Sequence, residues 1–67
     1  MQVGEKIRQA RNKQGLTQRE LAAKLGIWPA VLCHWETGER SPHLDTLVRV
    51  ALTLGVPAAS LLPDIEG

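Results

Sequence analysis

Few side chains in this 67-residue chain have the types and spacing that bond chemistry or metal binding requires. Cys33 and His34 are adjacent, and His43 follows nine residues later. Neighbouring residues on a helix point about 100° apart, so these three lack the spacing of a metal site. No motif supplies Cys33 with a base and an oxyanion site, and the serine, histidine and aspartate residues match no catalytic triad. The sequence therefore predicts neither an enzyme nor a metal or cofactor site.

Length and composition favour one small domain over residues 1–67. A chain this short buries only about 60% of its unfolded surface, so its stability is marginal. The lone cysteine excludes an internal disulfide, and no apolar run approaches the roughly 18 residues of a membrane-spanning helix. The N-terminus also lacks the pattern of a signal peptide. We therefore expect a cytoplasmic protein that is stabilised by helix packing or by self-association.

The charges are unevenly distributed, although the formal net charge is only +1. Residues 1–30 carry six basic and two acidic side chains, whereas residues 31–67 carry two basic and five acidic ones. This asymmetry permits a basic face that attracts nucleic acid, but solvated helix surfaces are its commoner cause. The charge pattern alone therefore does not identify a partner.

Glycine residues divide the chain into helical segments. Gly15, Gly26, Gly38 and Gly55 each follow a stretch with helical periodicity, and glycine is favoured just past a helix end. The chain has no Phe, no Tyr and no sustained period-two alternation, which argues against strands. We predict an all-α domain of five helices, over about residues 4–14, 17–26, 29–38, 41–55 and 57–62.

The fourth helix is expected to begin with Ser41 as its N-cap and Pro42 at its first position. In the last helix either Leu61 or Leu62 should be buried. Apolar spacing predicts the inward side of the fourth helix at Leu44, Leu47, Val48, Ala51 and Leu54.

The second helix has the strongest local motif. Thr17-Gln18-Arg19-Glu20 has the pattern of a capping box, and Gly26 ends this helix only a few residues before Pro29 opens the next. Two short helices joined by a glycine-containing turn form a helix-turn-helix, here over about residues 17–36. On spacing alone this is a moderate signal for DNA binding, because other helical domains contain such corners.

Several further anchors fall in register without a gap: Gly4-Glu5-Lys6-Ile7-Arg8, Arg11, Gly15-Leu16-Thr17-Gln18-Arg19-Glu20-Leu21-Ala22, Lys24-Leu25-Gly26, Trp35-Glu36-Thr37-Gly38, Pro42 and Ala51-Leu52-Thr53-Leu54-Gly55-Val56. Together they resemble the Cro/phage-repressor (Xre-type) helix-turn-helix family over residues 3–62. The resemblance implies a compact, lambda-repressor-like bundle of five helices. It also implies a transcriptional repressor or regulator of bacteria or phages, often a homodimer.

The resemblance implies roles for four residues. Gln18 matches a position that contacts a DNA phosphate beside the helix N-terminus. Arg11 and Glu36 match a partly buried salt bridge that ties the first helix to the third. Trp35 matches an apolar core position and is not expected to stack on bases.

The third helix departs from the family pattern at its groove-reading positions. Base edges are read by Arg, Lys, Asn or Gln, and this helix has none of them. Three explanations remain open: DNA binding with limited direct readout, a protein interface in place of the DNA surface, or a Trp28 side chain folded back onto its own domain. The positions concerned are Trp28, Pro29, Ala30, Cys33 and His34, with Val31 beside them.

We hypothesise a DNA-binding transcriptional regulator, a repressor that binds a palindromic operator as a homodimer. The alternative is a helix-turn-helix scaffold that binds a protein partner through the apolar Trp28–Val31 surface. The dimer interface is expected at Val56, Leu61, Leu62 and Ile65. The DNA contacts are expected at Thr17, Gln18, Arg19, Trp28, Pro29, Ala30, Cys33, His34 and Arg40.

Overall fold

The computed structural model describes residues 3–62. Across this range the chain forms four α-helices: α1 (Val3–Lys13), α2 (Gln18–Leu25), α3 (Pro29–Thr37) and α4 (Leu44–Leu54). A one-turn 3₁₀ helix (Ala58–Leu61) follows. The described residues include no strand. The all-α prediction and the helix-turn-helix bundle are thus confirmed, and no helix within residues 3–62 is long and apolar enough to cross a membrane.

The core lies where all five elements meet. Its two polar members are Arg11 and Glu36, which are buried together. Leu16 and Ile27, in the two turns flanking α2, pack against the core from its edge. The apolar core residues are Ile7, Leu21, Ala22, Leu25, Leu32, Trp35, Leu47, Val50, Ala51, Leu54 and Leu61.

Helices α2, α3 and α4 each end immediately before a glycine, as predicted. Gly26 adopts φ 71° and ψ 32°, and its N–H donates to the carbonyl groups of Ala22 and Ala23. A left-handed backbone is strained for any residue with a Cβ atom, so glycine at this position turns the chain sharply from α2 towards α3. Gly38 and Gly55 end α3 and α4 in the same way.

The fifth predicted helix is a 3₁₀ helix of four residues. The segment lies between Pro57 and Pro63, which leaves too little chain for α-helical hydrogen bonds to accumulate. The Ser60 hydroxyl donates to the Pro57 carbonyl oxygen at 2.6 Å and tightens the turn. Leu61 is buried, which agrees with the prediction that either Leu61 or Leu62 would be.

The predicted start of α4 is wrong. Residues 41–43 are not helical, the extended His43 is the N-cap with φ −66° and ψ 161°, and the Leu47 N–H donates to the His43 carbonyl at 2.8 Å. Extended chain covers about 3.3 Å per residue against 1.5 Å in a helix. The extended backbone at His43 therefore carries the chain farther than a helical residue would before α4 begins.

The predicted inward side of α4 is also partly wrong. Leu47, Ala51 and Leu54 are buried as expected, but Leu44 is 65% exposed and Val48 is 39% exposed. Val50, at the position one residue before Ala51, is fully buried instead. Apolar residues cover so much of α4 that hydropathy allows two overlapping stripes, and packing against the other helices selects one of them.

Candidate nucleic-acid interface

The N-terminus of α2 is closed by a reciprocal capping box. The Glu20 N–H donates to Thr17 Oγ1 at 3.0 Å, and the Thr17 N–H donates to Glu20 Oε1 at 2.8 Å. The hydrogen bond from the Thr17 backbone, with a smaller contribution from its hydroxyl, lowers the pKa of Glu20 below its ordinary value of 4.5. The first N–H groups of a helix have no acceptor within the helix, so those of Gln18 and Arg19 point outward towards a potential anion.

Gln18 joins a hydrogen-bonded cluster that connects three helices. Arg11 Nε donates to Glu36 Oε2 at 2.8 Å, and Arg11 Nη2 donates to Glu36 Oε1 at 3.0 Å, which makes a bidentate pair between α1 and α3. Gln18 Nε2 donates to the same Glu36 Oε1 at 3.1 Å. Arg11 Nη1 also donates to the Leu16 carbonyl at 2.8 Å. The cluster holds the start of α2 in a set position against the last turn of α3.

The leading edge of α3, defined as Trp28, Pro29, Ala30 and Val31, projects from the protein. Trp28 is 79% exposed, Pro29 and Ala30 are exposed, and Val31 is half-buried. The exposed indole rules out the explanation in which Trp28 folds back onto its own domain. The first turn of α3 carries no acidic residue that would repel a polyanion.

The second half of the outer face of α3 is more polar. His34 is exposed and its Nδ1 atom contacts the Glu39 carboxylate, while the half-buried Cys33 lies beside it in the chain. The exposed Arg40 is fixed to this region, because its backbone N–H donates to the His34 carbonyl at 3.1 Å. A groove of about 570 Å³ between α3 and the start of α4 is lined in part by His34 and Arg40. His34 therefore keeps only its Nε2 atom for a further partner.

Helix α3 is supported from behind by α1, and Gly4 makes this close approach possible. A Cβ atom at Gly4 would lie 1.8 Å from the Trp35 carbonyl oxygen and 3.0 Å from the Glu36 Cα atom. The two backbones are thus in contact at this point, and no side chain fits between them. The position of α3, and with it the outward face, depends on this glycine and on the Arg11–Glu36 pair.

The sequence comparisons agree with this geometry. The family profile described as "Helix-turn-helix" (HTH_3) matches residues 7–61. The chain belongs to the Xre-type helix-turn-helix family.

Two bacterial and phage relatives match almost the whole Xre-type domain. The cryptic phage CTXphi transcriptional repressor RstR of Vibrio cholerae is 38% identical over 61 residues, which are 91% of this chain and 55% of the relative. The HTH-type transcriptional regulator ImmR of Bacillus subtilis (strain 168) is 37% identical over 66 residues, which are 98% of this chain and 52% of the relative.

Eukaryotic proteins are also similar to the Xre-type domain. Multiprotein-bridging factor 1 of Candida albicans (strain SC5314 / ATCC MYA-2876) is 41% identical over 54 residues, which are 81% of this chain and 36% of that protein. The chain thus spans about half the length of the two bacterial and phage relatives and about a third of this one.

One residue of the dimer surface that was expected from the sequence is contradicted in this Xre-type domain, and the rest of that surface stays a prediction. Leu61 is only 1% exposed and packs inside its own chain, so its side chain is not accessible to a second copy. Val56 and Leu62 are half-buried and also pack against the core. Ile65 lies outside the described residues.

Other apolar side chains of the domain are exposed, and those on α4 were not identified from the sequence. Besides Trp28, the large apolar side chains that remain exposed within residues 3–62 are Leu44, Val48 and Leu52, all on α4. They follow one another at intervals of four residues and form a continuous ridge, which we call the α4 ridge. The four-residue spacing was visible in the sequence, but it could equally have marked a buried stripe.

Proposed function

We propose that this Xre-type domain binds double-stranded DNA as part of a transcription regulator, with α3 entering the major groove. The observation that carries the proposal is the outward leading edge of α3, which follows a short turn after the capped helix α2. In a helix-turn-helix the first helix crosses the phosphate backbone while the second lies in the groove. The similarity to a phage repressor and to a bacterial transcriptional regulator supports the same conclusion.

The proposed contacts fall into two groups. The N–H groups of α2, with the side chains of Thr17, Gln18 and Arg19, bind phosphate, and the exposed Arg40 binds phosphate beyond the end of α3. The groove contacts come from the outer face of α3. They comprise Trp28, Pro29, Ala30, Cys33 and His34.

A homodimer on a palindromic operator is the second part of the proposal, and the α4 ridge is its interface. The side chains at Leu44, Val48 and Leu52 form one i, i+4, i+8 ridge, and two such ridges interlock when helices cross at about −50°. A two-fold axis beside Val48 pairs the ridge with itself. Asp45 and Arg49 follow Leu44 and Val48 by one residue and so flank the ridge on one side. The two-fold axis makes the paired helices antiparallel and brings Asp45 of one copy beside Arg49 of the other, whose Nη2 atom donates to the Leu25 carbonyl of its own chain at 3.0 Å.

The experiment that tests DNA binding is selection of duplexes from a random library, followed by sequencing and affinity measurement. We expect enrichment of a palindrome whose half-sites lie about 34 Å apart, one helical turn of DNA. If the dimer neutralises about six phosphates, the slope of log affinity against log salt is about −5. Failure to enrich any duplex at low salt would contradict the proposal.

The rival function is a protein-interaction module that uses the Trp28–Val31 surface. Two observations favour it: the 79% exposure of Trp28 and the similarity to a protein named multiprotein-bridging factor 1. Trp28→Ser separates the two functions. A variant that loses a protein complex while it keeps full duplex affinity supports the rival, and a variant impaired only in DNA binding contradicts it.

A further inference from the structure

The leading edge of α3 has no side chain that can form the paired hydrogen bonds by which proteins usually distinguish bases. The helix Pro29–Thr37 contains no Arg, Lys, Asn or Gln. Its first exposed positions offer an indole, a pyrrolidine ring and a methyl group, followed by the half-buried isopropyl group of Val31. In the major groove the one apolar feature of unmodified DNA is the C5-methyl group of thymine.

We propose that the leading edge reads C5-methyl groups of pyrimidines, those of thymine and equally those of 5-methylcytosine. This inference rests on the proposed binding of DNA and names the chemical feature that the domain recognises. Contact with a methyl group removes apolar surface of both the protein and the DNA from water, and it needs no hydrogen-bond partner. Binding of this leading edge is therefore more favourable at a pyrimidine that carries a C5-methyl group than at one with only a C5 hydrogen.

The backbone holds the leading edge ready for such contacts. The Trp28 carbonyl accepts from the Val31 N–H at 3.0 Å, and the fully buried Leu32 anchors the same turn in the core. Pro29 at the first helical position fixes one backbone angle of the turn. Pro29 and Ala30 are also small, so the helix axis can approach the floor of the groove closely. The backbone that presents these contacts therefore loses little conformational freedom on binding.

Other residues on the outer face add little hydrogen-bonding capacity. The Glu39 carboxylate engages His34 Nδ1, which leaves a single ring nitrogen for a base or a phosphate. One nitrogen cannot make a bidentate contact, and bidentate contacts account for most discrimination between bases. Sequence preference in this domain is therefore set by the pattern of methyl groups, with DNA shape as a further contribution.

Replacement of thymine by uracil in a selected duplex tests the inference directly, because it removes the methyl group and leaves every hydrogen-bonding atom in place. We expect Kd to rise about fourfold for each contacted methyl group, the equivalent of about 0.8 kcal/mol. Uracil placed only in the flanks of the selected site is the control on the DNA and should leave Kd unchanged. Replacing a contacted thymine by cytosine should weaken binding, and 5-methylcytosine at that position should recover part of the loss.

Trp28→Ala tests the contribution of the protein. The variant should fold, because the indole is exposed and does not cap α3 with a side-chain hydrogen bond. The ratio of uracil to thymine Kd values should fall towards one in this variant. Ala59→Ser, an exposed change on the 3₁₀ helix, should keep the parental ratio. Equal affinity for thymine and uracil duplexes, or an unchanged ratio in Trp28→Ala, overturns the inference while DNA binding stands. Absence of binding to any duplex overturns both.

Discussion

The side-chain amide of Gln18 donates to Glu36 Oε1 at 3.1 Å, which connects the first residue of α2 to the last turn of α3. The residue expected at a phosphate is thus already held in place within the protein. Its amide retains a second N–H and its carbonyl oxygen for other partners. A phosphate contact at Gln18 would therefore be preorganised by the same carboxylate that pairs with Arg11.

Loss of the Gln18 side chain should weaken binding to all duplexes without changing its salt dependence. A hydrogen bond to a charged group contributes about 1.5 kcal/mol or more, so we expect Gln18→Ala to raise Kd about tenfold for each protomer that contacts the DNA. An amide releases no counterion, so the slope of log affinity against log salt should stay the same. Fluorescence anisotropy titrations at several salt concentrations measure both quantities.

Arg19→Ala is the matched comparison on the next residue of α2. It removes a charge, so the salt slope should become shallower by about 0.9 for each phosphate contact that is lost. Equal slopes in Arg19→Ala and the parent protein would show that this side chain contacts no phosphate.

Removal of Arg11 should destabilise the fold severely. The Glu36 side chain is only 2% exposed, and without Arg11 its charge is left buried with Gln18 as its remaining side-chain donor. Breaking such a pair costs on the order of 3 kcal/mol, so we expect this loss of unfolding free energy in Arg11→Met. Urea denaturation followed by Trp fluorescence measures it. The double variant Arg11→Met/Glu36→Leu should lose less than the sum of the two single variants, and strict additivity would argue against the pairing.

A methyl group at Gly4 should be poorly tolerated although alanine is a better helix former than glycine. The added Cβ atom would lie 1.8 Å from the Trp35 carbonyl oxygen, and backbone cannot move as a flexible side chain does. We expect Gly4→Ala to cost about 2 to 3 kcal/mol of unfolding free energy, as overpacking does elsewhere. Gln9→Ala, at an exposed position of α1, is the control and should be near neutral. A Gly4→Ala variant as stable as the parent would refute the close approach of α1 and α3.

Acid should remove part of the stability through Glu20. The Thr17 hydrogen bonds lower the pKa of Glu20 in the folded protein below 4.5, so the unfolded chain binds the proton more readily. The stabilisation is therefore complete above about pH 4.5 and is lost as the pH falls through the lowered folded value. We expect Glu20→Gln to lose less stability than the parent between about pH 6 and about pH 3. Thermal unfolding across this range measures the difference, and parallel pH profiles would exclude Glu20 as a contributor.

A charge placed on the α4 ridge should weaken dimerisation and leave the folding of the monomer unchanged. Leu52 is 76% exposed, so Leu52→Lys should leave the monomer folded. In a symmetric dimer each of the two copies loses a buried leucine worth about 1.5 kcal/mol or more, so the dissociation constant should rise at least about a hundredfold. Thr53→Lys adds the same charge at an exposed neighbouring position off the ridge. Sedimentation equilibrium should find dimerisation intact in Thr53→Lys, and an equal effect of the two lysines would place the interface elsewhere.

Much of the helix-turn-helix could be predicted because its signals are local. The capping box from Thr17 to Glu20 and the left-handed turn at Gly26 depend on interactions within a few residues, and both occur as predicted. The Arg11–Glu36 contact was anticipated only through the family resemblance, since no local rule pairs residues 25 positions apart. The site residues that bind DNA remain predictions.

The sequence by itself determined where the α-helices end and that the leading edge of α3 is apolar, because backbone preferences and residue types are properties of each position. Tertiary structure decided which apolar residues stay in water. Leu61 is buried, Trp28 projects outward, and Leu44 and Val48, which were predicted to be buried, form an exposed ridge with Leu52. All of these side chains are hydrophobic, and hydrophobicity has no direction. Only the positions of the neighbouring helices determine which of them find apolar partners and which remain available for DNA or for a second copy.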